Sequence, residues 1–190
     1  MPAYLLTAPA AEPLSLDDAR RYLRVEHDDD DATIAALIAA ARNHVEALTR
    51  RVLITQTWRF VRDDWPGDGR IRLRMGPLRG LSAARLIDAQ GTAAALDAGL
   101  FVADRASNTL TASPWALPVP GRATAGIELD IALGFGPAPE DVPDMLRHAI
   151  RMLVAHWYEN RGLVGIGQSV AMMPPTVAAM LTSFRAVSLC

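Results

Sequence analysis

The chain has 190 residues, 51% of them hydrophobic and 21% charged, with a formal net charge of −2. That length supports one sizeable core or two small lobes. The slight acidity and the lack of a basic tail argue against gripping nucleic acid through its phosphates. All 19 basic residues are arginine, a bias that a high-GC, alanine-rich coding sequence produces by itself. Cys190, the single cysteine, forms no intrachain disulfide. No apolar run reaches membrane-spanning length, and the first residues lack the charged and long apolar regions of a signal peptide. The expectation is a soluble protein made in the cytoplasm.

Ser15-Leu16-Asp17-Asp18 opens a first helix, with Ser15 as cap and Asp18 reaching back, ending near Arg24. The acidic turn from His27 to Asp31 reads as helix initiation, because carboxylates favour the exposed amides at a helix start. Four successive aspartates cannot all face one ion, and calcium-loop spacing is absent. A second helix spans about Asp31 to Thr49. Ile34, Leu37, Ile38, Ala41, Val45 and Leu48 form its apolar stripe, and Arg42 and Glu46 fall on its outer side.

From Val52 to Phe135 the periodicity shortens. Strands are expected at 54–61, 71–75, 81–88, 101–104 and 127–133, separated by turn signals such as Gly76-Pro77 and Gln90-Gly91. In the second of these, one side is buried and the other carries Arg72 and Arg74. Asp141 is expected to cap a third helix, with Pro143 in its first turn, running to about Asn160. Gly162, Gly165 and Gly167 follow in a loop. A last helix runs from Thr176 to about Arg185. The fold class is therefore α+β: a mainly α-helical core of about four helices with an inserted small antiparallel β-sheet lobe. The expected division is 1–51 for the N-terminal helices, 52–136 for the β-rich insert and 137–190 for the C-terminal helices that complete the core.

No motif for chemistry emerges. His148 and His156 lie eight apart on one helix, and no paired-cysteine zinc signature or serine nucleophile elbow occurs. The glycines after Asn160 follow a helix and lack the Lys-Ser/Thr pair of a phosphate loop. Glu128 and Asp130 share a strand face without any sign of a cleft. The reading is a non-enzymatic protein with no catalytic residues, no cofactor and no metal.

Three stretches carry a resemblance: Leu14–Val25 with the aspartates and Ile34–Ala41; Val45–Trp58; and Val142-Pro143 through Ala149-Ile150 to Ala155–Arg161. In these the chain resembles the head–tail connector (adaptor) proteins of tailed phages and phage-derived gene transfer agents. The middle, 76–122, matches only in general pattern. The resemblance implies a ring, usually of twelve subunits, beneath the portal protein at the head–tail junction of the particle. Such a ring extends the DNA channel without binding DNA specifically and docks the next tail component. The family's C-terminal anchor makes Met172, Met173, Val177, Met180, Leu181, Phe184 and Arg185 candidate portal contacts. The alternative for this apolar segment is closure of the subunit's own core. Tyr158, Glu159 and Arg161 are candidate inter-subunit contacts, or with Asn160 a helix C-terminal cap. A second hypothesis, a DNA-binding or DNA-processing protein of the same packaging system, needs Arg70, Arg72, Arg74 and Arg79 along a DNA path. A small hydrolase is the third.

Overall fold

The computed structural model describes residues 1–160 and 173–185. The chain divides into two compact units, one of residues 1–10 and 55–135 and the other of residues 11–54 and 136–190.

The second unit is helical. Helix α1 (Leu16–Leu23) begins at Ser15, whose hydroxyl accepts the Asp18 backbone N–H at 3.1 Å and donates to the Asp18 carboxylate at 2.9 Å. It ends at Arg24, whose left-handed backbone (φ 58) turns the chain into the acidic segment. Helix α2 (Asp31–Thr49) buries Ile34, Ile38, Ala41 and Val45, the inner positions of its three-and-four spacing. Helix α3 (Asp144–Glu159) answers with Leu146, Ala149, Ile150, Leu153 and Val154. Helix α4 (Pro175–Thr182) adds Val177 and Leu181 and packs on α2 and α3. Each fully buried Leu or Ile contributes about 1.5–3 kcal/mol of transfer free energy.

Two details differ from expectation. Arg42 is buried, not on an outer face. Its Nε and one terminal nitrogen grip Glu12 at 2.7 and 3.2 Å, and the other reaches Glu46 at 3.2 Å. Periodicity cannot reveal a partner 30 residues upstream. Asp141 does not cap α3, where Pro143 holds the cap position. It caps the preceding 3-10 turn (Pro139–Asp141), its carboxylate accepting the Ala138 N–H at 2.9 Å. That carboxylate lies 2.0 Å from where a Cβ on Gly136 would stand, so Gly136 admits no side chain without a shift.

The first unit is all β, with two sheets where one was expected. Its strands are β1 (Ala3–Thr7), β2 (Gln56–Arg62), β3 (Arg70–Arg72), β4 (Leu78–Ile87), β5 (Ala93–Leu96), β6 (Phe101–Asp104), β7 (Thr109–Ala112) and β8 (Ile127–Leu133). One antiparallel sheet has the order β1-β2-β8-β4-β5 and the other β3-β7-β6. Strand β1 comes from a stretch expected to belong with the helices, and it pairs with β2 through Ala3↔Phe60 and Leu5↔Trp58. Strand β5 is alanine-rich, a composition that does not favour strands. It forms because the Asp88 carboxylate accepts the Gln90 and Thr92 N–H groups at 2.9 and 2.7 Å and folds a hairpin back onto β4. In the central strands Phe60, Leu129 and Ala84 meet across the register and are buried. The adjacent positions bring Arg59, Asp130 and Arg85 together, as described below.

Candidate functional site

The predicted portal-contact segment splits in two. Val177 and Leu181 are buried in the helical unit. Met173, Met180 and Phe184 are half-buried and Arg185 is exposed. The end of α4 is pinned by Arg51, whose Nε donates to the Phe184 carbonyl at 3.2 Å, and Arg185 reaches the Leu48 carbonyl at 3.5 Å. Met172 lies outside the described residues. The inner face of α4 thus closes the subunit's own core, while its methionine side remains partly open.

The predicted inter-subunit residues lie at the end of α3. The Tyr158 hydroxyl donates to the Asp30 carboxylate, fastening α3 to the start of α2 within the subunit. Glu159 is exposed. Asn160 caps the helix, its side-chain and backbone N–H groups both donating to the His156 carbonyl at 2.8 and 3.1 Å. Arg161 lies outside the described residues. One turn earlier, Trp157 meets His44 edge-on, ring centroids 5.8 Å apart, in a helix–helix packing contact.

The acidic turn works as local scaffolding. Arg20 holds Asp31 at 3.2 Å and the carbonyls of Glu26 and His27 at 3.3 and 2.7 Å. An open cleft of about 710 Å³ beside it is lined by Asp17, Arg20, Arg21, Arg24, Val25 and Glu26. Arg21, one of its two other arginines, is engaged by Asp18 at 2.7 Å. Among the described residues no three His, Cys, Asp or Glu side chains are placed to share a metal ion.

Glu128 and Asp130 do share a face of β8, and the structure supplies the partners that strand spacing did not show. Arg59 on β2 binds Asp130 at 2.6 and 2.9 Å and Glu128 at 3.0 Å, and Arg85 on β4 binds Asp130 at 2.6 Å. Burial pushes the Asp130 carboxyl up, but the two guanidiniums outweigh it and hold its pKa below the ordinary value. The hydrogen bond to Asp130 raises Arg59 above its own ordinary value. The two guanidiniums occupy three of the carboxylate's acceptor positions, and this cluster ties three strands together.

The basic residues invoked for DNA do not form one surface with one role. Arg70, Arg72 and Arg74 are exposed, with Arg72 paired to Asp68 at 3.0 Å. Arg79 donates to the Phe135 carbonyl at 2.9 Å.

Residues 13–73 match the model of the phage gp6-like head-tail connector protein family. That span holds the first two stretches that carried the resemblance. The chain is also similar along its whole length to solved neck proteins. A chain in the neck of an empty gene transfer agent (GTA) particle, computed with C6 symmetry, is 27% identical with a TM-score of 0.83, covering 100% of this chain and 98% of that one. A chain in the virion of a native GTA particle is 28% identical, TM-score 0.81, with the same coverage.

The chain thus resembles head–tail connector proteins over residues 13–73 and GTA neck proteins over its full length. A third similar solved chain, from the neck of a native GTA particle computed with C12 symmetry, is 26% identical at a TM-score of 0.79, again over 100% of this chain and 98% of that one. None of the curated proteins matches the chain. Its arginine–carboxylate clusters, helix caps and half-buried methionines are the chemistry of assembly and stability.

Proposed function

We propose that this chain is a head–tail connector: a structural, non-enzymatic subunit of a ring at the head–tail junction of a phage-like or gene transfer agent particle. In that ring it binds the portal, extends the DNA channel and docks the next tail component. The observation that carries the reading is similarity over the full chain to proteins of GTA necks, in structures computed with C6 and C12 symmetry. Repetition supports a weak-contact mechanism: around a ring each further contact is effectively intramolecular, so modest interfaces add up. A chain with net charge −2 suits a wall past which DNA slides without being gripped.

The C-terminal segment is the proposed portal anchor, and its burial pattern supports a division of roles within it. Val177 and Leu181 hold α4 in place, while Met173, Met180 and Phe184 offer soft, adaptable apolar surface. Glu159 and Arg161 are proposed for contacts between neighbouring subunits. Deleting the whole segment would open the core. The sharper test is the double variant Met173→Asp/Met180→Asp, with unchanged thermal unfolding as its control. It is expected to stop the chain co-sedimenting with purified portal rings and to remove an added ring in electron micrographs. Portal binding equal to that of the wild type would sink the anchor assignment.

A further inference from the structure

Trp115 is 97% exposed, an unusual position for the side chain with the largest apolar payload. It is not on a loose loop. It sits in a 3-10 turn (Pro114–Ala116) directly after β7, and the next residue, Leu117, is buried. The Trp65 indole N–H donates to the Pro118 carbonyl at 2.9 Å, and the Trp65 ring stacks at a tilt on buried Phe101. Gly69, with φ +65, lets the chain approach so closely that an added Cβ would stand 3.1 Å from the Pro114 ring and 2.1 Å from the Ala112 carbonyl. Pro114, Pro118 and Pro120 further restrict the segment. The turn is therefore built in advance to hold an indole in water, the arrangement that makes a strong binding anchor because little ordering remains to be done on contact.

The surroundings set the chemistry of the partner. On the small sheet, cross-strand partners face one side: Arg70, Thr111 and Val102 form one row, and Arg72, Thr109 and Asp104 the next. Ile71, Leu110 and Ala103 face inward. Val102 is 66% exposed, and Val119, two residues beyond the buried Leu117, is 87% exposed. The β unit thus exposes an indole and two valines and, on and just after β3, Arg70, Arg72 and Arg74, of which Arg72 is paired to Asp68 and shares its row with Asp104. An acidic surface with some apolar content complements it. The chain itself carries one: Glu26, Asp28 and Asp29 are exposed in the turn between α1 and α2, and Tyr22, 46% exposed, precedes them on α1. The asymmetry extends to the whole units. The helical unit holds 13 acids and 10 arginines, the β unit 8 acids and 9 arginines.

We propose that Trp115 and the arginines on and just after β3 dock onto the acidic Glu26–Asp29 turn and Tyr22 of a second copy of this chain. The two surfaces differ, so the contact is head-to-tail and propagates from copy to copy, closing when the rotation between copies allows. The inference rests on the ring reading above and names the surfaces that would join its subunits.

The test uses the full chain. Concentration-dependent association is followed by sedimentation equilibrium, and a photo-crosslinking amino acid is placed at position 115. The expected product is a dimer whose crosslinked peptide contains residues 22–29. Trp115→Ala is expected to weaken association roughly 30-fold, the loss typical of a central tryptophan anchor. Arg70→Glu/Arg72→Glu and Asp28→Arg/Asp29→Arg should each abolish it, and mixing the two charge-reversed proteins should restore it. Wild-type association by Trp115→Ala, no rescue on mixing, no association up to millimolar concentration, or crosslinking to added duplex DNA would each overturn the proposal. Imaging with portal separates this from the ring reading. A ring added by Trp115→Ala as readily as by the wild type defeats the docking surfaces alone, whereas no added ring even with the wild type defeats the ring.

Discussion

In the helical unit one arginine serves two carboxylates, and in the β unit one carboxylate serves two arginines. Arg42 bridges Glu12, in the segment before α1, to Glu46 on α2, and Glu46 also accepts the Leu53 backbone N–H at 2.8 Å. Asp130 lies on the middle strand of its sheet and is gripped from both neighbours by Arg59 and Arg85. The first cluster joins segments distant in sequence, next to the buried Pro13 and Leu14. The second joins strands already paired by backbone hydrogen bonds. The Arg42 cluster therefore adds a polar tie between a remote segment and α2, whereas the Asp130 cluster reinforces strands that are already paired.

That contrast can be broken experimentally, beginning with the largest effect. Arg42→Ala strands two poorly solvated carboxylates and is expected to cost about 3 kcal/mol, read by urea denaturation. A cost below that of the next variant would reverse the ranking. Asp130→Asn removes the shared charge but keeps an acceptor, Glu128 still pairs with Arg59, and the arginines are partly solvated, so a cost of about 1–2 kcal/mol is expected. This substitution also sharpens the comparison through pH. Asp130 has a folded pKa below its unfolded one. Its contribution is complete above the unfolded carboxylate range near pH 4 and disappears as the pH falls through the lower folded value. Thermal melts between pH 6 and pH 3 should show a shallower loss in Asp130→Asn than in the wild type. A parallel loss would remove Asp130 from the account. Ser15→Ala should cost about 1 kcal/mol through the lost α1 cap, measurable by thermal unfolding. Trp115→Ala should change stability by no more than about 0.5 kcal/mol, because its side chain touches little in the free chain. A larger loss would mean that the indole supports its own turn.

Features governed by neighbours in sequence were legible in advance. The α2 boundaries follow from an unbroken apolar stripe, and the Ser15 cap from a local pattern. The strands 101–104 and 127–133 stand between turn residues and alternate or run apolar. What escaped depends on distant partners. Ala3–Thr7 lacks a clear alternation or flanking turn signals, and it becomes a strand because β2 offers an open edge. Thr109–Ala112 gains its identity from lying between β3 and β6. Arg42 was read outward because α2 alone gives no hint of Glu12. For the candidate surfaces the same limit held. The apolar character of α4 was visible, but which of its side chains are spent on the core depends on packing against α2 and α3. Trp115 gave no signal, because a tryptophan among prolines reads equally well as buried or exposed.

The position of β8 has a consequence for synthesis. It is the last strand of the large sheet to be made, yet it lies between β2 and β4. Until the ribosome has released residues 127–133, β2 and β4 each keep an open edge, and β1 waits some fifty residues for its own partner. A nascent chain paused before Ile127 would expose two sticky margins at once, so crowded translation of this chain is where aggregation should begin.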